Sequence, residues 1–212
     1  MPASRLLWPT ELAQPDAVVL VLHGGREHGH DAVRDWQAAV WRMRPFERAV
    51  ARAGRGRVAV ASIRYAVRGW NADEASPLVD TLLALEQIEA RHPGVPVGLL
   101  GHSMGGRVAL HLAGDERVRA IAALAPWVEA QDRARWHRGL HVLFMHGTRD
   151  RITSPRRSRA MADAMAAMGA DVTYRDVHGD VHGMLRQPGR WHRESAEFLA
   201  THLTGPQARA QA

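Results

Sequence analysis

A serine hydroxyl attacks a carbonyl only when the backbone lifts it clear of its neighbours and a base removes its proton. This chain has residues for both tasks. Gly101-His102-Ser103-Met104-Gly105-Gly106 directly follows the apolar run Val97-Gly98-Leu99-Leu100. A strand that ends in Gly-x-Ser-x-Gly and turns at once into a helix is a nucleophile elbow. Its glycines are needed because the turn packs a strained serine backbone against its surroundings, with no room for a Cβ on either flank. The spacing predicts a Ser103 Oγ raised at the carboxyl end of a sheet, with the Met104 N–H at a helix N-terminus.

The base and the group that orients it should lie on loops after later strands. His146-Gly147-Thr148-Arg149-Asp150 follows the apolar residues 142–145 and puts a carboxylate just past a strand end. Val177-His178-Gly179-Asp180-Val181-His182-Gly183 precedes the last helical stretch and offers two histidines. The Gly-x-x-His spacing favours His182 as the base and leaves His178 as a loop residue. Asp150 could instead cap the helix after Thr153-Ser154-Pro155 or pair with Arg149 or Arg151, and Glu129 is the rival acid. Asp176 and Asp180 read as solvated or turn-forming. An oxyanion hole needs two backbone donors. Met104 N–H is one; Gly25, in His23-Gly24-Gly25-Arg26 after the first strand, is the expected second.

These residues need a scaffold, and strand-like and helix-like segments alternate along the chain. Residues 18–22, 58–61, 97–100, 121–124 and 142–145 are continuously apolar, as parallel strands buried on both faces are. Residues 172–174 are more polar and suit an edge. Leu78, Leu82, Leu85 and Ile88 form a helical stripe after Ser76-Pro77, and Met161, Met165 and Met168 form another after Ser154-Pro155. The Met stripe reads as core. Trp191, Ser195, Phe198 and His202 mark a last helix. The pattern predicts one domain over residues 1–212, with a core at about 18–203 and a frayed tail from Gly205. Its architecture is an open, mostly parallel twisted sheet with helices on both faces. In the long segment 24–57, Trp36, Val40 and Met43 predict one helical face, and Pro45, Phe46 and Val50 a second short helix. The segment 126–140 is too short for an independent cap.

On His23-Gly24-Gly25, Gly101-His102-Ser103-Met104-Gly105, His146-Gly147-x-x-Asp150 and Gly179-x-x-His182, the chain resembles the α/β-hydrolase superfamily. The order Ser103, Asp150, His182 is that family's nucleophile–acid–base order. The chain is similar to its small bacterial members without a large cap: esterases, thioesterases and dienelactone-hydrolase-like proteins. The resemblance implies a serine hydrolase that cleaves a carboxylic ester or thioester through an acyl-enzyme intermediate, without a cofactor. It also brings a departure. So few residues precede the first clear strand that one or both of the family's initial antiparallel strands are expected to be missing or reduced.

Composition narrows the alternatives. The net charge is +6, yet every basic residue is arginine and asparagine occurs only at Asn71. This reads as the codon usage of a GC-rich genome, and no nucleic-acid motif accompanies the scattered arginines. No nucleic-acid partner is expected. Cysteine is absent, which removes disulfides and thiolate metal sites. No secretory signal and no apolar run long enough for a membrane span are seen, so the expected location is cytoplasmic, off the membrane. The oligomeric state stays open. A small acyl substrate, free or carried by a partner, is the expected ligand. Trp127, just past a strand end, and Trp70 are candidates for its binding at the rim; each is also a candidate packing anchor. Two other readings stand beside the hydrolase. One is a binding protein on the same fold. The other is a metallohydrolase using His23, His28, His30, Asp31, His178 and His182, although Gly179 occupies the place where a zincin helix needs glutamate.

Overall fold

The parallel strands lie where the apolar runs fall. The computed structural model describes residues 2–205, so most of the tail expected to fray lies outside the described residues. The strands are β1 (Arg5–Thr10), β2 (Ala17–Leu22), β3 (Val58–Arg64), β4 (Val97–His102), β5 (Val118–Leu124), β6 (His141–Gly147) and β7 (Asp171–Val177). They form one sheet in the order β1-β3-β2-β4-β5-β6-β7. Every pairing is parallel except β1 with β3. One antiparallel strand therefore does precede the parallel set, at the edge, and its Leu6 and Trp8 pack against the core. The polar strand β7 closes the opposite edge, as its composition predicts.

Period-two alternation divides the core in two. Val18, Leu20 and Leu22 of β2 face one side, while Ala17, Val19 and Val21 face the other. The first side is covered by α3 (Ser76–Arg91), α4 (Met104–His111) and α5 (Pro155–Ala167). The second is covered by α2 (Arg44–Ala53) and α6 (Pro188–Thr204), with the short α1 (Ala38–Trp41) preceding α2. Proline stands in the first turn of α2, α3, α5 and α6, where its missing N–H costs nothing. Ser154 caps α5 by accepting the Arg157 N–H at 3.2 Å.

Three stripe positions depart from the sequence pattern. Trp36 is 77% exposed because the extended Gln37 starts α1 only after it, leaving Val40 and Met43 to face inward. In α3 the buried face runs through Thr81, Ala84, Leu85 and Ile88, and Leu82 is exposed. Thr81 can sit there because its hydroxyl donates to the Pro77 carbonyl at 2.7 Å. Met161 and Met165 are core, whereas Met168 is the exposed-side C-cap of α5. Among the described residues, no helix is long and apolar enough to cross a membrane.

Candidate active site

Ser103 sits between β4 and α4 with φ 57° and ψ −116°, a conformation that L-residues adopt only when their surroundings enforce it. Here the two flanking glycines do so. A Cβ on Gly101 would lie 2.7 Å from the Gly106 nitrogen, and one on Gly105 would lie 2.7 Å from the Leu22 carbonyl carbon. The close fit aims Ser103 Oγ at His182, whose Nε2 is 3.0 Å away. His182 Nδ1 is 2.8 Å from Asp150 Oδ2. A carboxylate can only accept, so Nδ1 carries the proton and Nε2 is free to receive that of Ser103. The structure thus brings together the three residues that the sequence singled out, from three separate loops.

Asp150 is fixed on both oxygens. Oδ1 accepts the N–H groups of Ile152 at 2.8 Å and Thr153 at 3.0 Å, and Oδ2 also accepts from the Thr153 hydroxyl at 2.9 Å. Burial alone would raise this carboxyl. The hydrogen bonds from His146, His182 and Thr153 outweigh it and hold the group far below the ordinary carboxylate range. Asp150 is therefore an anion at neutral pH, suited to stabilise an imidazolium on His182.

The neighbouring groups divide by burial. His178 is exposed, and Asp180 is buried rather than solvated. Asp180 accepts from Val181 N, Arg186 N, Gln187 N and Trp191 Nε1, and so ties the His182 loop to the start of α6. Glu129, the rival acid, is bound by Trp127 Nε1 and by Arg157 at 2.6 Å. It makes no hydrogen bond to His182. His23 is turned into the core against Tyr65, with ring centroids 4.5 Å apart. Burial lowers its pKa to about 4. His28 and His30 instead point outward to Glu27 and Glu74. Among the described residues, no three or more His, Asp or Glu converge as a metal site.

Gly25 lies against the elbow. A Cβ there would stand 2.6 Å from the Arg68 carbonyl oxygen and 2.5 Å from Met104 Sδ. Only glycine leaves this backbone open beside Met104. The backbone N–H of Trp127 donates to the Ser103 carbonyl at 3.0 Å, and its ring stacks 4.6 Å from the Arg107 guanidinium. Trp70 stacks on the same guanidinium at 4.1 Å and is only 6% exposed. Arg107 pairs in turn with buried Asp132 at 2.7 Å. The two tryptophans and Arg107 line a cleft of about 480 Å³ that Glu27, His28 and Asp132 help to enclose.

Sequence reasoning did not assign His146, Thr153, His102 or Arg107 to this site. His146 lies in the quoted His-Gly-x-x-Asp segment, but its burial beside Asp150 depends on how α5 docks. Thr153 reads locally as part of a helix entrance. Arg107 is one arginine among many.

The sequence profile of the serine aminopeptidase, S33 family matches residues 13–141. The match spans more than half the chain, including Gly25 and Ser103, and ends before Asp150 and His182. The chain belongs to the S33 family. Among curated proteins, none matches this S33 member. Solved structures do. An α/β-hydrolase of unknown function from Agrobacterium tumefaciens aligns with a TM-score of 0.71 at 17% identity, covering 96% of this chain and 92% of that one. Est1E from Butyrivibrio proteoclasticus, solved with ferulic acid bound, gives 0.70 at 14% identity, covering 94% and 95%. A lidless serine hydrolase from Xanthomonas campestris gives 0.64 at 16% identity, covering 95% and 93%. At these identities the likeness is one of fold. The S33 chain is an α/β-type hydrolase by family, on the fold that its strand order describes.

Proposed function

We propose that this chain is a serine-nucleophile hydrolase of carboxylic esters or thioesters, acting through an acyl-enzyme. The observation that carries the reading is the line from Ser103 Oγ to His182 Nε2 (3.0 Å) and from His182 Nδ1 to Asp150 Oδ2 (2.8 Å). The Ser103 proton passes to His182 Nε2 as Oγ bonds to the acyl carbon. The carbonyl electron pair moves onto its oxygen, which the N–H groups of Met104 and Gly25 receive. Collapse of this intermediate expels the alcohol or thiol, which takes up the proton from His182. Water then gives a proton to the same nitrogen as it attacks the acyl carbon; the acyl–Oγ bond breaks, the carboxylic acid leaves and Ser103 Oγ takes the proton back from His182. Asp150 holds His182 in the required tautomer and balances its transient charge. Trp127 and Trp70 border the space for the acyl or leaving group. A flat acyl group suits this open, short-capped surface, and the ferulic acid seen in Est1E is such a group.

A second reading, aminopeptidase activity, is favoured by the family's name and by Glu27 and Glu129 beside the same cleft, which could receive an ammonium. Substrate panels separate the two. p-Nitrophenyl esters and acyl thioesters of increasing chain length should be cleaved faster than aminoacyl p-nitroanilides; the reverse order would favour the peptidase. A fluorophosphonate probe should label the protein, and Ser103→Ala should abolish labelling together with at least about 10⁴-fold of the turnover. Labelling that persists in this variant would remove Ser103 as the nucleophile. A wild-type protein that neither labels nor cleaves would leave the non-catalytic binding reading.

A further inference from the structure

His146 is fully buried and satisfied at both ring nitrogens, and one of its partners is the carboxylate oxygen that also holds His182. His146 Nε2 lies 3.2 Å from Asp150 Oδ2, and Nδ1 lies 2.7 Å from Ser158 Oγ. Behind Ser158 stands Tyr174, its hydroxyl 2.9 Å from Ser158 Oγ and 3.2 Å from the Pro155 carbonyl. Proton roles follow from the acceptors. Asp150 can only accept, so His146 Nε2 carries a hydrogen, and the neutral ring then takes the Ser158 proton at Nδ1. With the Ser158 proton turned to Nδ1, Tyr174 is the donor of the 2.9 Å contact to Ser158 Oγ and shares that proton with the Pro155 carbonyl at 3.2 Å. Every group in the chain is satisfied with His146 uncharged.

A histidine that merely filled space could be oriented by any pair of polar neighbours. Here β6 supplies His146, and α5 supplies the Ser158 that sets its tautomer. The ring thereby delivers one N–H to the acid facing His182. Asp150 Oδ2 receives three groups at once: His182 Nδ1, Thr153 Oγ1 and His146 Nε2. Thr153 has a single proton and a competing acceptor, the Ala125 carbonyl at 3.2 Å. The His146 N–H lies between two oxygens of the same cluster, Asp150 Oδ2 at 3.2 Å and Thr153 Oγ1 at 3.3 Å, so either way it is spent on the groups that face His182 Nδ1.

We propose that His146, oriented by Ser158, is a positioning residue for the Asp150–His182 pair: it fixes the Asp150 carboxylate and draws negative charge away from His182. The role rests on the hydrolase reading for its kinetic consequence but not for its electrostatic one. An N–H dipole pointing at Asp150 makes the potential at His182 less negative and so disfavours the imidazolium. Removing that dipole must raise the His182 titration midpoint. The other groups facing His182 are Asp150 and Thr153 from the β6–α5 loop and His102 and Ser103 from the elbow, and the charged Arg42, between α1 and α2, lies beside the next residue, Gly183. None of these is altered by the substitutions below.

The test compares wild type with His146→Phe, His146→Gln and Ser158→Ala. The His182 imidazole is titrated by NMR in the resting protein, and the rate of fluorophosphonate labelling is measured per folded molecule. In His146→Phe the midpoint should rise by several tenths of a pH unit, and labelling should slow about 10-fold or more. In His146→Gln, whose amide N–H can replace the imidazole donor, both should return most of the way. Ser158→Ala, which frees the ring, should shift both readouts in the same direction by less. This smaller variant decides the matter if His146→Phe does not fold. An unchanged midpoint in His146→Phe, or His146→Gln no better than His146→Phe, overturns the role. So does a wild-type Ser158→Ala where His146→Phe is unfolded. Failure of wild type to label defeats the hydrolase reading alone, since the titration still decides what His146 does to His182.

Discussion

His102 donates its Nε2–H to the backbone carbonyl of His182 at 3.0 Å, so the residue before Ser103 holds the loop of the histidine that faces Ser103. The two rings lie 4.8 Å apart. Because Nε2 faces a carbonyl, it must carry the proton, and His102 Nδ1 is left buried without a partner. The elbow therefore does more than present Ser103: it also sets how deeply His182 reaches.

His102→Phe keeps the ring volume and removes this tie. We expect kcat to fall about 10-fold with KM changed less than about twofold, since a displaced base harms the proton transfer more than substrate binding. Steady-state kinetics on the best ester substrate decides. A raised KM at unchanged kcat would place His102 at the substrate instead.

The same variant tests acid stability. Burial, aided by repulsion from His182, lowers the His102 pKa to about 3, and burial lowers that of His23 to about 4. Both lie below the unfolded value of about 6.5. The unfolded chain thus binds protons that the folded chain refuses. The stabilisation is complete above pH 6.5 and is lost as pH falls towards 4 and then 3, with a slope of about 1.4 kcal/mol per pH unit for each histidine. Urea unfolding between pH 6 and 4.5 should give a slope smaller by about one such proton in His102→Phe. Parallel slopes would mean that His102 is protonated in the folded state.

Gly25→Ala should cost about 10²-fold or more in kcat, the loss typical of one oxyanion donor. The new methyl would meet the Arg68 carbonyl and the Met104 side chain, displacing the backbone at Gly25. The clash with a backbone carbonyl also strains the loop, so the thermal midpoint should fall as well, and kcat is compared per folded molecule. Full activity in a folded Gly25→Ala protein would remove Gly25 N–H from the oxyanion site.

Arg107→Ala should be the most destabilising of these changes, by about 3–5 kcal/mol, because it leaves Asp132 buried without its counter-charge. Burial tends to raise Asp132, but hydrogen bonds from His111, Arg107 and the Glu129 N–H bring it down to about 2. The change also removes the plate between Trp70 and Trp127. Chemical denaturation measures the loss; a change below about 1 kcal/mol would show that the Trp127 segment is held by other contacts.

The sequence by itself determined the chemistry that could be attempted and the layering that supports it. Runs such as 18–22 and 97–100 can only be buried on both faces, and Gly101 and Gly105 permit a turn that few other residues could make. Ser103 and Asp150 each follow such a run and His182 follows the more polar edge strand, so their placement at one end of the sheet was legible from order alone. The apolar stripe alone misjudged the face where a helix start or a side-chain bond to the preceding turn shifted it. Gln37 starts α1 too late to bury Trp36, and Thr81 enters the core by bonding to Pro77. Only the tertiary structure decided the surroundings of the three residues. Packing of α5 on β6 and β7 brings Ser158 and Tyr174 behind His146, and α4 carries Arg107 between Trp70 and Trp127. These contacts join residues far apart in the chain, and their hydrogen-bond geometry exists only once the helices have docked.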